Sequence, residues 1–299
     1  MKVCIGITTK NRADILPKAI MSALEQDYPN KEVLVFDDGS TDGTSQLSEK
    51  FPEVRWERVE ESLGLLEARN TMMRTSDADV FVSLDDDAWF LKKDEISIAV
   101  DYFKADSKLG AIAFDILEID SARSKEVERG EAVKSNFFKG AGHALRLSAV
   151  REAGYYVPFP LKYGHEEKDL GILILDRGYH ILFLPGVHVW HDYTAVSRNL
   201  EEQNRAFVIN DLVYKFRRVP LAYLIPVLGV SIVRSLRGQI RGNIDNREAV
   251  LTFFKFLPGQ LKNINRVKMR TYKNYRKLSK SYLSFLAAEN QKRSEKNNQ

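Results

Sequence analysis

The first ninety residues alternate short apolar runs with segments whose apolar residues recur at helical spacing. Helices are predicted over 13–26, after Asp42 and over 65–75. Strands that alternate with helices pair in parallel through right-handed crossovers. The pattern therefore predicts an α/β fold with a Rossmann-like, mostly parallel sheet flanked by helices. The predicted strands are KVCIGIT (2–8), EVLVFDD (32–38), VRWERV (54–59) and VFVSLDD (80–86).

Three of these strands end in polar clusters. The clusters are TTKNR (8–12), DDGSTDGT (37–44) and DDD (85–87). In open α/β sheets, ligands bind in the crevice beyond the carboxyl ends of the strands. The three clusters therefore predict one shared binding crevice.

The pattern loosens after residue 90. A helix is predicted over 95–105 and a strand over 109–120, followed by a polar, exposed excursion over 121–135. Residues 163–179 predict a loop that leads into a helix ending at Gly178. Residues 180–193 predict a strand followed by a loop that carries histidines.

The last hundred residues have a different character. The uncharged run 219–233 is interrupted by Pro220 and Pro226. It is shorter than the ~20 residues of a simple spanning helix. Further along, apolar and aromatic residues are interleaved with Lys and Arg, a pattern typical of helices in a membrane interface. We expect a basic helical region that contacts a membrane; the alternative is an ordinary helical subdomain with a solvated basic face.

The charges are distributed unevenly along the chain. Residues 198–299 contain 21 basic and 7 acidic residues, a net charge of +14, whereas residues 1–197 carry a net charge of −10. The basic part favours an anionic partner surface, and the acidic part favours a metal-dependent site. The lone cysteine, Cys4, excludes an intramolecular disulfide and fits a reducing compartment. The apolar run at residues 2–8 is shorter than the core of a signal peptide.

The aspartates at 85–87 are candidates for a metal site. Residues two apart in an extended chain point the same way, so Asp85 and Asp87 can face one ligand while Asp86 points aside. Carboxylates that share a cation with phosphate oxygens suit Mg²⁺ or Mn²⁺. The alternative is a polar strand end with helix-capping aspartates.

Five segments occur together in a recognisable order. They are ITTKNR, VLVFDDGSTDGT, GLLEARN, SLDDDAWF and YGHEEKDLGILILDRG. Their order and spacing resemble those of family 2 inverting glycosyltransferases with the GT-A fold. The resemblance implies metal-dependent transfer of a sugar from a nucleoside-diphosphate donor to a hydroxyl of a glycan or lipid-linked glycan.

The same resemblance implies a domain organisation. A GT-A catalytic domain would span residues 1–197, with the nucleotide-sugar site over about 1–90 and the acceptor side over about 91–197. A basic helical extension would follow over 198–299. We expect the enzyme in the cytoplasm, at the inner face of the plasma membrane.

The resemblance also assigns residues to the donor. It implies that Thr8 and Thr9 line the nucleotide pocket, although the family often has proline where Thr8 stands. Asp37 would accept an N–H from the base, and Arg69 would reach the diphosphate. The alternatives are a turn role for Asp37 beside Asp38 and a surface helix position for Arg69.

The metal ligands implied by the resemblance are Asp87 and, with the ribose, Asp85. Asp86 lies beside the donor in this comparison. A histidine near the metal is common in the family, and His191 fits that position best, with His188 as the second choice.

The catalytic base implied by the resemblance lies in GHEEKDLG. Glu167 aligns with the usual base, but this chain has Glu where Asp is commoner, so Glu166 remains an alternative. Both acids, together with Asp169, can instead favour the N-terminus of a helix through its dipole.

The segment FKGAGHALR is implied to border the sugar and the acceptor. Gly140 and Gly142 would form a tight backbone passage, and His143 would line the same pocket.

Two other functions remain as alternatives. A metal-dependent nucleotidyltransferase of similar fold is disfavoured because residues 8–12 contain no glycine. A non-catalytic nucleic-acid-binding protein using the basic tail would leave the acidic motifs unexplained, and we expect no nucleic-acid partner.

Overall fold

The computed structural model describes residues 1–118, 127–162, 164–192, 200–238 and 246–297. Part of the predicted excursion at 121–135, the residues up to 126, lies outside the described residues. So does the predicted domain boundary at 197–198.

The described strands form one nine-stranded sheet in the order β3-β2-β1-β4-β8-β6-β9-β5, with β7 paired to β9 off this path. Their bounds are β1 Val3–Thr9, β2 Lys31–Asp38, β3 Arg55–Val59, β4 Val80–Asp85, β5 Ala88–Phe90, β6 Leu109–Glu118, β7 Val133–Ser135, β8 Gly142–Arg146 and β9 His180–His191. Strands β3, β2, β1 and β4 are parallel, as predicted. Beyond β4 the sheet is mixed: β8 runs antiparallel to β4 and β6, and β9 runs parallel to β6.

The described helices cover both faces of the sheet and continue into the C-terminal part of the chain. Their bounds are α1 Leu16–Leu24, α2 Leu47–Lys50, α3 Leu65–Thr75, α4 Glu95–Ala105, α5 Leu147–Ala153, α6 Glu166–Asp176, α7 Leu200–Arg218, α8 Leu221–Leu236, α9 Arg247–Gln260 and α10 Met269–Asn297. Apolar residues of β1, β2 and β4 alternate between two core clusters, one on each face of the sheet, because successive side chains of a strand point to opposite faces. The buried apolar runs predicted as strands are thus covered on both sides.

The C-terminal helices share a core with the sheet. Tyr214 of α7 and Tyr272, Tyr275 and Tyr282 of α10 belong to the same buried cluster as Leu170 of α6. A smaller cluster joins α7 to α9. None of the helices in the described part of the chain combines the length and apolar content needed to cross a membrane.

Candidate active site

The polar clusters at the ends of β1, β2 and β4 meet at one edge of the sheet. Thr9 of β1 pairs in register with Asp37 of β2, and Thr8 pairs with Asp85 of β4. Parallel neighbours end side by side, so the sheet itself brings the predicted donor residues together. Polar side chains buried at this edge include Thr8, Thr9 and Asp37.

The two carboxylate oxygens of Asp37 differ in their hydrogen bonding. Its Oδ1 accepts a hydrogen bond from the backbone N–H of Ser40 at 2.9 Å, which holds the turn after β2. Its Oδ2 is buried and has no hydrogen-bond partner among the residues that the structure describes. This oxygen lies 3.8 Å from Nε of Arg58. The turn role and the capacity to accept a ligand N–H coexist in this one carboxylate.

Asp38, for which the sequence predicts a role in a turn, holds the loop before α3. Its carboxylate accepts hydrogen bonds from the hydroxyl of Ser62 and from the backbone N–H groups of Leu63 and Gly64. The loop it fixes leads into the helix that carries Arg69. Asp38 therefore positions the wall of the crevice.

The side chains of Asp85, Asp86 and Asp87 diverge as expected, although only Asp85 belongs to strand β4. Asp86 and Asp87 form the turn between β4 and β5. Oxygens of Asp85 and Asp87 and a ring nitrogen of His191 all lie within 4.8 Å of one another. Asp86 points elsewhere, with Oδ1 3.9 Å from Nε of Arg12, and burial raises the pKa of Asp86 to about 7.

His191 reaches this group through strand pairing. The short strand β5 runs antiparallel to β9, with Ala88 opposite His191, so the imidazole lies beside Asp87. Its Nε2 is 3.4 Å from Oδ1 of Asp87, and its Nδ1 is 3.6 Å from Oε1 of Glu118. Burial opposes the charged imidazole, but hydrogen bonds to Asp87 and Glu118 raise the pKa of His191 to about 9.

Glu118 was missed by sequence reasoning. It ends β6, directly beside His191 in the β6–β9 register. Its hydrogen bond to His191 and the nearby Lys139 lower the pKa of the Glu118 carboxyl to about 2, against the effect of burial. A signal was present, because Glu118 closes a buried strand as Asp85 does.

The second histidine does not join the group. His188 lies in β9 rather than in a loop and is fully buried. Its Nε2 accepts a hydrogen bond from the backbone N–H of Val127 and lies 3.8 Å from Asp115. Both histidines belong to the strand because VHVWH alternates with period two, and the expected histidine-bearing loop is a strand end.

Arg69 is buried, not a surface helix residue. Its guanidinium donates to Oδ1 of Asp85 at 2.5 Å, to Oε1 of Glu167 at 3.4 Å and to the carbonyl oxygen of Gly140 at 3.3 Å. Only 1% of its side chain is exposed. Arg69 thus links the end of β4 to the start of α6.

Glu167 faces the same cavity as Asp85 and His191. The cavity has a volume of about 800 Å³ and is also lined by Arg69, Gly140 and Glu166. Burial, followed by repulsion from Glu166, raises the pKa of Glu167, and Arg69 opposes this rise. A carboxyl with a raised pKa beside a cavity is a candidate proton acceptor.

Of the three residues of the glycine-rich segment that were expected at the pocket, Gly140, Gly142 and His143, only Gly140 lines the cavity. A Cβ at Gly140 would lie 2.5 Å from Oε1 of Glu167, so the absence of a side chain there lets the carboxylate approach. Gly142 instead faces Val189 and Ile116 inside the sheet. His143 is fully buried on the other face, where its ring hydrogen-bonds Lys139 O and the hydroxyl of Tyr156. Because β8 is a central strand, Gly142 and His143 are core residues, contrary to expectation.

Side chains of helix α7 bind the first turn of α6 and the residue before it. His165, at the left-handed φ of 81°, has Nε2 3.1 Å from Oδ1 of Asp211, and Nζ of Lys168 lies 3.4 Å from the same oxygen. Asp169, expected to favour the helix N-terminus, instead pairs both oxygens with Arg218, at 2.6 and 2.7 Å. Sequence reasoning missed Asp211 and Arg218 because their partners lie more than forty residues away.

Two carboxylates and an imidazole are a donor set that Mn²⁺ and Mg²⁺ accept. Asp85, Asp87 and His191 therefore fit a divalent cation, with the side chains of Glu118 and Arg69 around them.

Comparison with known proteins agrees with this architecture. Residues 4–142 match the family model "Glycosyl transferase family 2". A relative from Escherichia coli, the UDP-Glc:alpha-D-GlcNAc-diphosphoundecaprenol beta-1,3-glucosyltransferase WfgD, is 27% identical over 168 residues, which are 55% of this chain and 66% of the relative. Matches to curated relatives cover 13% to 66% of the relatives' own lengths.

Two solved structures resemble the whole chain in fold. The mannosyltransferase PcManGT from Pyrobaculum calidifontis, in complex with GDP-Man and Mn²⁺, has a TM-score of 0.58 at 21% identity, covering 97% of this chain and 86% of that chain. TarS 1-349 from S. aureus, in complex with UDP-GlcNAc, has a TM-score of 0.62 at 16% identity, covering 95% and 92%. Residues 4–142 therefore resemble glycosyl transferase family 2, and the chain as a whole shares its GT-A-like fold with these two solved structures.

Proposed function

We propose that this protein transfers a sugar from a nucleoside-diphosphate donor to an acceptor hydroxyl with inversion at the anomeric carbon. The observation that carries the proposal is one cavity in which Asp85 and His191 lie at one wall and Glu167 at another, with Arg69 contacting both carboxylates. Diphosphate handling and proton removal are the two tasks that direct displacement requires.

In the proposed reaction, the acceptor oxygen attacks the anomeric carbon from the side opposite the diphosphate. A carbon–oxygen bond to the acceptor forms, and the bond between that carbon and the phosphate oxygen breaks with its electron pair on the leaving nucleoside diphosphate. The hydroxyl proton passes to the carboxylate of Glu167, whose raised pKa makes it a stronger base than an ordinary glutamate. Gly140 leaves room for the Glu167 side chain.

Asp85, Asp87 and His191 are the residues that would hold the cation. A divalent cation bound there supplies charge neutralisation for the diphosphate. Arg69, fixed by Asp85 and Glu167, keeps these two carboxylates apart and oriented. Thr9 and Asp37, paired across β1 and β2, are assigned to the nucleotide base end.

The donor class is supported by the sugar nucleotides of similar proteins, which are UDP-Glc for the E. coli relative and GDP-Man and UDP-GlcNAc for the two solved structures. We test it with a thermal-shift screen of UDP-, GDP- and dTDP-sugars, with and without Mn²⁺, on the wild type and Asp87→Ala. We expect one donor to raise the Tm only with Mn²⁺ and only in the wild type. An equal response of the variant would contradict the proposal.

We also propose a peripheral contact with an anionic membrane through α8 and α9. Helix α8 buries Leu224, Ser231 and Ser235 and exposes the large apolar residues Leu221, Ile225 and Val230, whereas an ordinary surface helix exposes polar residues. We call these residues, together with the exposed Phe254 of the neighbouring helix α9, the α8–α9 face; Arg234 and Arg237 of α8 and Lys255 of α9 are exposed on the same two helices.

Anionic lipid suits the α8–α9 face because apolar side chains can enter the interface while the cations meet lipid phosphates. A second copy of the chain would bring the same cations toward one another across a two-fold interface. The proposal keeps the expected location at the inner face of the plasma membrane.

Sedimentation with vesicles tests this contact. We expect the wild type to pellet with vesicles containing phosphatidylglycerol and not with neutral ones, and a Leu221→Ser/Ile225→Ser/Val230→Ser variant to stay in solution. Leu63→Ser is the matched control, since Leu63 is equally apolar and 48% exposed but lies in the N-terminal half. Unchanged sedimentation of the triple variant, or dimerisation of the wild type through this face, would rule out the lipid contact.

A further inference from the structure

Arg69 and Lys139 are both cations at the wall of the large cavity, but their surroundings differ. Arg69 is buried, and its guanidinium contacts the carboxylates of Asp85 and Glu167. The single positive charge of Arg69 therefore balances carboxylates of the protein itself. A diphosphate in the cavity needs a further cation.

The two carboxylates that would hold the metal lead to the same requirement. Asp85 and Asp87 together carry as much negative charge as a divalent cation carries positive charge. Glu118 and Glu166 line the cavity as well and add negative charge to it. Stabilisation of a diphosphate leaving group favours a cation that is placed beside the phosphate on which charge develops.

Lys139 is a cavity-lining cation that is free to exchange its partner. Its side chain is 46% exposed, and its Nζ lies 3.3 Å from Oε1 of Glu118. Ion pairs between partly exposed side chains are weak, so the ammonium group can leave Glu118 for a phosphate oxygen. Among the described residues that line this cavity, the other lysine is Lys168, whose Nζ lies 3.4 Å from Oδ1 of Asp211 and 4.6 Å from the ring centroid of Tyr214.

The backbone of Lys139 is fixed from the core of the sheet. Its carbonyl oxygen accepts a hydrogen bond from Nδ1 of the fully buried His143 at 2.8 Å. Nε2 of His143 in turn accepts a hydrogen bond from the hydroxyl of Tyr156 at 3.0 Å. The imidazole thus holds the peptide of Lys139 at the cavity wall, while the flexible four-carbon side chain stays able to reach a ligand.

The strand order places Lys139 on the far side of Asp85 from the nucleotide base. Thr9 and Asp37, assigned to the base, end β1 and β2, and Asp85 ends β4. The next strands are β8, which begins just after Lys139, and β6, which Glu118 ends. Because β8 runs antiparallel to β4 and β6, its start lies at the edge of the sheet where those strands end. A donor laid along this edge has its distal phosphate, the one that carries the sugar, nearer to Lys139.

We propose that Lys139 is a phosphate-binding residue of this cavity and that its ammonium group binds the distal phosphate of a nucleoside diphosphate. The ammonium group exchanges Glu118 for an oxygen of that phosphate when the ligand binds. It remains there as the bond to the sugar breaks and the electron pair stays on the phosphate oxygen. The assignment of this diphosphate as a leaving group rests on the proposed transfer.

Titration calorimetry with nucleotides tests the assignment without an acceptor. The ligands are UDP, GDP and dTDP, the corresponding monophosphates and inorganic pyrophosphate, each with Mg²⁺. At least one nucleoside diphosphate is expected to bind the wild type, and Lys139→Met should weaken that binding about tenfold or more because a charged hydrogen bond is lost. Binding of the matching monophosphate, which has no distal phosphate, should be the same in both proteins. Lys139→Arg keeps the charge and should bind the diphosphate more tightly than Lys139→Met does.

Lys134→Met is the matched control, because Lys134 is an exposed lysine of β7 that does not line the cavity. This variant should bind the diphosphate as the wild type does. Equal diphosphate binding by the wild type and Lys139→Met overturns the proposal, as does the absence of binding by any of these ligands. Equal losses for the monophosphate and the diphosphate also overturn it, because they would show general damage to the site.

Pyrophosphate and the donor thermal shift separate this proposal from the proposed transfer. If the wild type binds pyrophosphate in a Lys139-dependent manner but no sugar nucleotide raises its Tm, the transfer proposal fails and the phosphate site stands. If a sugar nucleotide raises the Tm and Lys139→Met binds the diphosphate as the wild type does, the role of Lys139 fails and the transfer proposal stands.

Discussion

Glu167 and Asp169 lie two residues apart in the first turn of α6, yet they have opposite surroundings. The side chain of Glu167 is 15% exposed at the cavity wall and meets Arg69 at 3.4 Å through one oxygen. The side chain of Asp169 is 2% exposed and uses both oxygens on Arg218. Residues two apart on a helix point to nearly opposite sides, so one turn serves the cavity and the core at once.

The difference shows what distinguishes a reactive carboxylate from a structural one in this fold. Asp169 is saturated by a charge-assisted, bidentate pair, which favours a fixed geometry. Glu167 keeps an unsaturated carboxylate whose protonation is sensitive to its neighbours. Asp211 is a second carboxylate that is fixed by cationic partners, like Asp169. Burial alone would raise the pKa of Asp211, but His165, Lys168 and Lys215 lower it well below its ordinary value.

Glu167→Gln should give the largest effect. Without a proton acceptor, transfer should fall by about 10²–10⁴-fold while the donor-induced thermal shift persists. Glu166→Gln is the matched control and should reduce the rate of transfer less than Glu167→Gln does. Turnover at the wild-type rate in Glu167→Gln would move the base to another residue, and a larger loss in Glu166→Gln would move it to Glu166.

Arg218→Met should be the most damaging change to stability. It leaves the Asp169 carboxylate buried without its partner, a loss of roughly 3–5 kcal/mol in the free energy of unfolding. Urea denaturation measures it. The double variant Arg218→Met/Asp169→Leu should recover part of the loss, whereas Arg74→Met, which breaks a surface pair with Glu67, should cost at most about 1 kcal/mol. Additive losses in the double variant would show that the two side chains are not coupled.

Gly140→Ala should lower activity with little loss of stability. The added Cβ would lie 2.5 Å from Oε1 of Glu167, which forces the carboxylate away from its position. A displacement of about 1 Å can cost on the order of 100-fold in rate. We expect kcat to fall and the KM for the donor to change little; Gly154→Ala, at a positive φ on the far side of α5, should instead affect only stability. A wild-type kcat in Gly140→Ala would show that the contact is unimportant.

The pH dependence of stability should differ in sign between the two carboxylates and be the smallest effect. Because the pKa of Glu167 is raised in the folded state, its contribution is full below the unfolded pKa of 4.5 and is lost as the pH rises. Because the pKa of Asp211 is lowered, its contribution is present above 3.8 and is lost as the pH falls.

Melting curves of the wild type, Glu167→Gln and Asp211→Asn between pH 3 and 9 measure these contributions. The Tm of the wild type should decrease relative to Glu167→Gln above pH 5. The advantage of the wild type over Asp211→Asn should shrink below pH 4. Parallel curves for all three proteins would contradict the assigned shifts.

Much of the N-terminal half was predictable from the sequence. The strands β1, β2 and β4 and the helix α3 follow the apolar periodicity, and α3 has the predicted bounds, 65–75. The clustering of Asp37, Asp85 and Thr9 was predictable because parallel strands end at a common edge. The mixed strand directions beyond β4 were not predictable, because the sequence of a short strand such as β8 does not show which strands it pairs with or in which direction.

The sequence also could not show which residues of a strand line the cavity or which distant residues contact one another. Gly142 and His143 belong to a buried strand, and only the packing of both sheet faces shows that neither lines the cavity. The roles of Asp211, Arg218 and Lys139 depend on contacts between segments that are far apart in the chain.

Local periodicity and residue chemistry were enough to predict the α/β elements, the donor-side motifs and the separation of acidic and basic halves. Tertiary packing was needed to bring His191 to Asp85 and Asp87, to turn Glu167 toward the cavity and Asp169 toward the core, and to place α10 at the wall of the cavity. The physical reason is that the orientation of a helix and the register of a strand depend on packing against segments distant in the chain, which local pattern does not encode.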